Sequence, residues 1–358
     1  PDGHWSSNEF YLGNAKDPKV YDGEAYGFKG FDVGVTALAM LAYLGYGHTH
    51  RNGKFKEFRV VMRKAMQWML KQQEKNASDP AKDGAYGYTT EREEWIYNHS
   101  IATMAMAELL FISGDNFNLE TSVTKATRYC MRSQNDKFGW KYEYKGGLND
   151  TSVTGWMVLA LKTAKACSEV RMLKKIRPEE YKPHFEWALN WFDRSTAKIS
   201  GKTGYESPGD KGSELRGIYP EPYPYSKRLS CMTAVSVLCR LFAGESRKSD
   251  AIKNGVAILM DEPPKWLPAR DKRKSFINIY YWYYGSYAMF QYGGSKWREW
   301  NDAMQEALLP TQIMGTDKDG SWDPIGEWGA AGGRVYSTAI GAMTLEVYYR
   351  FERQESGG

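Results

Sequence analysis

A glycine set beside an aromatic residue closes helix-like stretches again and again in this chain. The cases are Asp2-Gly3-His4-Trp5, Asp83-Gly84-Ala85-Tyr86, Phe138-Gly139-Trp140, Thr203-Gly204-Tyr205 and Asp319-Gly320-Ser321-Trp322. After each comes a variable loop, then an almost wholly apolar stretch, then an amphipathic one. A unit returning at intervals of roughly 50 to 80 residues is an internal repeat, and a repeat constrains the fold before any local propensity does.

Two helix types alternate. Residues 33–46, 96–112, 152–166, 234–243, 277–292 and 335–351 are apolar on all sides, and a helix of that kind must be buried all round. Between them lie helices with one stripe. Phe55, Phe58, Met62, Ala65 and Met69 step by three and four; so do Leu119, Val123, Ala126 and Cys130. Tyr181, Phe185, Ala188 and Phe192 repeat the pattern, as do Trp297, Trp300, Met304 and Leu308. The arrangement that buries the first type and half-exposes the second is a pair of concentric layers. The expected fold is therefore all-α, an α/α toroid of about six hairpins forming a single domain over residues 1–358. The chain opens on the motif that should follow an outer helix, so one outer helix is expected upstream of Pro1.

Composition narrows the function classes. The net charge of +5 is mild and its basic residues are scattered, which argues against a nucleic-acid partner. No apolar run approaches the roughly 20 residues of a membrane span. Cys130, Cys167, Cys231 and Cys239 stand apart inside expected helices and read as buried thiols. Aromatic residues make up 15% of the chain. Such an excess, rich in Tyr and Trp, suggests an aromatic-lined cavity besides the core.

Gln134 ahead of Phe138-Gly139-Trp140, and Gln312 ahead of Gly320-Ser321-Trp322, resemble the repeat of squalene-hopene cyclases and protein prenyltransferase β-subunits. In that reading the glutamine bonds carbonyls freed at the helix end and the tryptophan packs on the next hairpin. Tyr281-Trp282-Tyr283-Tyr284-Gly285 with Gly332-Gly333-Arg334-Val335-Tyr336 looks like bacterial proteins known only for containing such repeats. The resemblance implies the toroid and an isoprenoid-like ligand. The departures weigh against the family's chemistries. Where hopene-type cyclases carry an Asp that protonates the alkene, this chain has Asn149, and an amide cannot supply that proton. The Asp-x-Cys of the prenyltransferase zinc site is missing, so neither zinc nor any other cofactor is assigned.

Candidate site residues gather where apolar helices begin. His99, Tyr97, Asp150 and Arg334 are the candidates for chemistry. Toroidal lyases of polysaccharides pair His or Tyr with Asn and Arg to remove a proton beside a carboxylate, and Tyr97, Asn98, His99 and Arg334 would supply those types, with Asp150 a candidate ligand contact. Each has a plainer reading: His99 in a hydrogen-bond network between helices, Asp150 as an N-cap, Arg334 paired to Glu327 or Glu346. Trp95, Trp156, Tyr280, Trp282, Tyr284 and Tyr336 are the candidate ligand-lining aromatics. Asp317, Asp319 and Asp323 have loose metal-like spacing but lack a closing Glu, which favours a solvated loop. Segments 6–30, 201–229 and 261–275 break the rhythm as functional loops do, and the alternating prolines of 218–225 suit a lid. The expected function is a ligand-binding toroid with an isoprenoid-like or glycan ligand in its cavity and no assigned reaction. The alternatives are an enzyme on an isoprenoid-like substrate, a polysaccharide lyase or hydrolase using His99, Tyr97 and Arg334, and a protein-interaction scaffold.

Overall fold

In the computed structural model, the described residues are 2–7, 29–75, 78–91, 93–209, 230–267, 277–326 and 328–350. They form helices and connecting turns, with isolated bridges and no strand among them. The apolar helices are α1 (Asp32–Gly45), α3 (Trp95–Ser113), α5 (Thr151–Glu169), α7 (Cys231–Phe242), α9 (Ile279–Tyr292) and α11 (Gly329–Leu345). The striped ones are α2 (Lys56–Lys71), α4 (Asn116–Ser133), α6 (Lys182–Ser195), α8 (Asp250–Asp261) and α10 (Gly294–Leu308). A short α12 (Val347–Arg350) follows α11. The expected final helix of 335–351 is interrupted once, at Glu346; Gly333, with φ 69° inside α11, kinks the chain just before that stretch begins. Of the expected loops, residues 8–28, 210–229 and 268–275 lie outside the described residues, and the lid assigned to 218–225 lies there too.

The chain divides into two compact units, residues 1–6 with 28–191 and residues 7–27 with 192–358. In the first, α3 lies between α1 and α5, while α2 backs α1 and α4 backs α3 and α5. In the second, α9 lies between α7 and α11, with α8 behind α7 and α10 behind α9. Burial follows the sequence pattern. Helix α3 buries residues on every side, from Trp95 and Ile96 through His99 and Met104 to Leu110, whereas α2 buries only Met62, Ala65, Met66 and Met69. Each fully buried aliphatic or aromatic side chain stabilises the fold by about 1.5–3 kcal/mol. Helix α9 meets α10 at Gly285, where an added Cβ would come within 2.4 Å of the Trp300 ring. The Trp300 indole donates to Ser286 Oγ at 2.9 Å across the same contact.

The recurring glycine motif ties each hairpin to the next. Gly84 has φ +87°, and a Cβ there would strike the Lys125 carbonyl of α4 at 2.5 Å. Gly3 meets the Lys64 carbonyl of α2 in the same way, and Gly201 meets the Asn254 Cβ of α8. Two residues beyond each of these glycines, a backbone N–H turns to the next apolar helix. Trp5 donates to Thr36 Oγ1 at 3.0 Å, and Thr203 to Thr233 Oγ1 at 3.1 Å. Trp140 donates to Thr154 and Trp322 to Thr338. The fourth repeat therefore runs Gly201-Lys202-Thr203 rather than Thr203-Gly204-Tyr205. There Thr203 Oγ1 bonds Thr196 Oγ1 at 2.8 Å, a pair of threonines where other repeats place a glutamine and an aromatic ring.

The glutamine and tryptophan divide their work differently from expectation. The Trp140 indole donates to Cys130 O at 2.8 Å and the Trp322 indole to Leu308 O at 2.9 Å, so the ring takes the helix-end carbonyl. Gln134 instead spans outward, donating to Phe138 O and to His184 O of α6. Gln73 does the same with Gly84 O and Ser122 O of α4.

Candidate functional site

His99 is fully buried on α3, five residues into the helix as Thr36 is in α1. Its Nδ1 accepts from the Tyr86 N–H at 3.1 Å. That is the bond the threonine hydroxyls accept in the other repeats, so the imidazole stands where Thr36, Thr154, Thr233 and Thr338 stand elsewhere. The network places the ring proton on Nε2, which lies 3.3 Å from Cys130 Sγ and beside the Ala126 backbone. Burial pushes the pKa down to about 3, against the pull of the Ala126 hydrogen bond and with help from the Arg132 charge. The ring is neutral at pH 7 and both nitrogens are engaged.

Asp150 is buried as the N-cap of α5: its Oδ1 accepts from the Val153 N–H at 2.7 Å, and its own N–H donates to Trp140 O. Tyr97 is half-buried two residues before His99, and its hydroxyl donates to Ser152 Oγ at 3.0 Å. Trp95 and Trp156 are buried in the same unit.

The remaining candidates belong to the second unit. Tyr280, Trp282 and Tyr284 are buried in α9. Tyr280 and Tyr284 share a face, with ring centroids 5.0 Å apart, while Trp282 turns to Trp266. Tyr281 faces α10, its ring 5.7 Å from Trp300, and Tyr287 bonds Met343 O of α11. Tyr336 is half-buried. Arg334 pairs with Asp323 at 2.8 Å and also donates to Ser321 Oγ; Glu346 takes Arg350 instead. Asp323 is thereby engaged, and Asp319 accepts from the Gly315 N–H. Among the described residues no group of three or more His, Cys, Asp or Glu is placed to hold a metal, and no helix is long and apolar enough to cross a membrane.

The structure adds aromatics that the helix pattern did not single out. Tyr88, Tyr142 and Tyr144 are half-buried on the loops that lead into α3 and α5. Tyr88 meets Trp95 edge-on at 5.0 Å, Trp95 meets Tyr129 at 5.9 Å, and Tyr129 meets Tyr144 at 6.0 Å. Tyr97 joins Tyr142 at 6.4 Å. Lys82 and Lys141 lie over the Tyr88 and Tyr142 rings. Tyr129 reaches the cluster from α4, and its buried hydroxyl has no hydrogen-bond partner among the described residues. The signal for this group was the alternation Trp140-Lys141-Tyr142-Glu143-Tyr144.

No protein-family model matches the chain, and no curated protein matches it in sequence. Among solved structures it is similar to an inactive variant of the alpha-1,6-mannanase GH76A of Salegentibacter sp. HEL1_6, in complex with alpha-1,6-mannotriose. The likeness has a TM-score of 0.53 at 12% identity and covers 90% of this chain and 91% of that one. The fold class is all-α, an α/α toroid. The prenyltransferase and terpenoid-cyclase reading gains nothing from these comparisons, since the neighbour is a glycoside hydrolase.

Proposed function

We propose that this protein binds a carbohydrate chain, and that the half-buried tyrosines Tyr88, Tyr97, Tyr142 and Tyr144 of the first unit carry the contact. The supporting observation is their clustering where α3 and α5 begin, with Trp95 beneath them. Sugar rings present C–H faces that stack on aromatic rings, and tyrosine hydroxyls can bond sugar hydroxyls at the ring edge. The glycan-bound neighbour favours a carbohydrate over an isoprenoid. In this reading His99 and Asp150 hold the scaffold, and Tyr97 is the candidate in direct contact.

Binding is proposed ahead of hydrolysis. The neighbour is described as inactive when two consecutive aspartates are changed to asparagine. This chain has no two consecutive aspartates, so a hydrolase reading would draw the pair of Asp or Glu side chains that flanks the bond from other positions.

Calorimetric titration of the whole chain with alpha-1,6-mannotriose and a panel of neutral oligosaccharides tests the reading. Saturable binding to at least one glycan is expected, weakened about tenfold or more by the double change Tyr142→Ala and Tyr144→Ala. Binding that the double variant retains, or farnesyl diphosphate bound in preference to every glycan, would remove the proposal. Release of reducing ends would promote the hydrolase reading.

A further inference from the structure

The opposite ends of these helices pose a separate question. In the first unit, the turns that leave α1, α3 and α5 are fastened side by side. Arg51 Nη2 reaches Asp115 Oδ1 at 2.6 Å, and His50 Nε2 reaches Asp115 Oδ2 at 2.7 Å, joining the turn after α1 to the start of α4. Asn116 Nδ2 donates to Met172 O at 3.0 Å, and the Lys174 N–H donates to Glu120, joining α4 to the turn after α5.

This end of the unit exposes apolar side chains that a soluble surface usually hides. Phe117 is 95% exposed, Tyr46 64% and Val170 53%, with Phe55 and Phe111 exposed as well. Around them stand Arg51, Lys54, Lys56, Arg171, Lys174, Lys175 and Arg177, all exposed. Most acids nearby are engaged: Asp115 is buried between His50 and Arg51, Glu169 is paired with Lys165, and Glu179 and Glu180 pair with Arg177, which leaves Glu57 exposed beside Lys56. Lys54, Lys56, Arg171, Lys174 and Lys175 make no ion pair among the described residues, and Lys54 lies over the Phe55 ring.

We propose that this face docks on an anionic lipid surface, with Phe117, Tyr46 and Val170 entering the headgroup boundary and the lysines and arginines meeting lipid phosphates. Aromatic and aliphatic tips ringed by Lys and Arg match that boundary in both polarity and charge. Basic side chains near an anionic leaflet each strengthen attachment by about fivefold. A free polyanion would satisfy the lysines, but Phe117 and Val170 would gain nothing from it. The inference is independent of the carbohydrate proposal.

Vesicle co-sedimentation of the whole chain tests it. Binding to vesicles containing about one-third phosphatidylserine should exceed binding to pure phosphatidylcholine by at least tenfold and fall steeply as salt is raised. Phe117→Ser should weaken it, as should the pair Lys174→Glu and Lys175→Glu. Ile199→Ser, which changes a fully exposed apolar side chain in the other unit, should leave it unchanged. Phe117 is so exposed that its replacement should leave helix content intact, which circular dichroism checks. Absence of binding, equal binding to both vesicle types, or binding untouched by these variants would overturn the proposal. So would displacement by heparin with an affinity that Phe117→Ser does not alter, which would make the partner a polyanion.

Discussion

At the scale of the residue, His99 is the instructive position. As one of five histidines, opening an apolar helix, it has the sequence profile of a catalytic base. Its neighbours give it the work of a repeat threonine, accepting the Tyr86 N–H. This makes its effects on stability definite. The folded protein takes up a proton on this ring only near pH 3, against an ordinary value of 6.5, so the neutral ring's contribution is complete above about pH 6.5 and is lost as pH falls toward 3. Acid denaturation followed by circular dichroism should therefore be less steep for His99→Thr than for the wild type across that window. His99→Ala leaves the Tyr86 amide buried without a partner and should cost about 1–3 kcal/mol at pH 7. An unchanged melting temperature for His99→Ala, together with lost glycan binding, would instead place the ring in the binding site.

At the scale of the element, the repeat is held by side-chain bonds to backbone carbonyls as well as by apolar burial. Gln134 carries two of them, to Phe138 O and to His184 O, so it binds α4, its own turn and α6 together. Gln134→Leu should lower stability by about 1–3 kcal/mol in urea titration, because it strands two carbonyls in a part-buried seam. A loss under about 0.5 kcal/mol would mean that water replaces the amide without penalty. The helices themselves were legible from the chain: all-round apolarity marked α1, α3, α5, α7 and α9 to within a few residues at each end. The fourth tie was not, because its register is set by Gly201 fitting against Asn254 and by the Thr196–Thr203 pair, and neither contact leaves an aromatic signature.

At the scale of the whole molecule, an α/α toroid without a matching family leaves function to its sites. The amide at Asn149 accepts from Asn135 Nδ2 at 3.0 Å and donates to Gly147 O, so it belongs to the turn before α5. Purified protein given squalene should yield no cyclised product by gas chromatography, and Asn149→Asp should not create the activity. Detection of a hopene-type product from either protein would restore the cyclase reading.

The sequence by itself determined the alternation of helix types, since periodicity alone decides which helices must be buried all round. It also determined where the hairpins close, by a glycine beside an indole or phenol, at every motif but the fourth, which Gly201 and Thr203 make instead. Tertiary structure decided the roles of the polar residues. Whether a histidine, an aspartate or an arginine performs chemistry depends on which atoms face it, and folding brings those atoms from the turn that precedes each helix: Tyr86 for His99, Trp140 for Asp150, Asp323 for Arg334. The same holds for the aromatic residues. Their number was plain in the composition, but only folding sorted Tyr281 and Trp282 into the interior and left Tyr88, Tyr142 and Tyr144 half-exposed. Exposure is a property of what packs against a side chain, and spacing along the chain does not encode it for residues on loops.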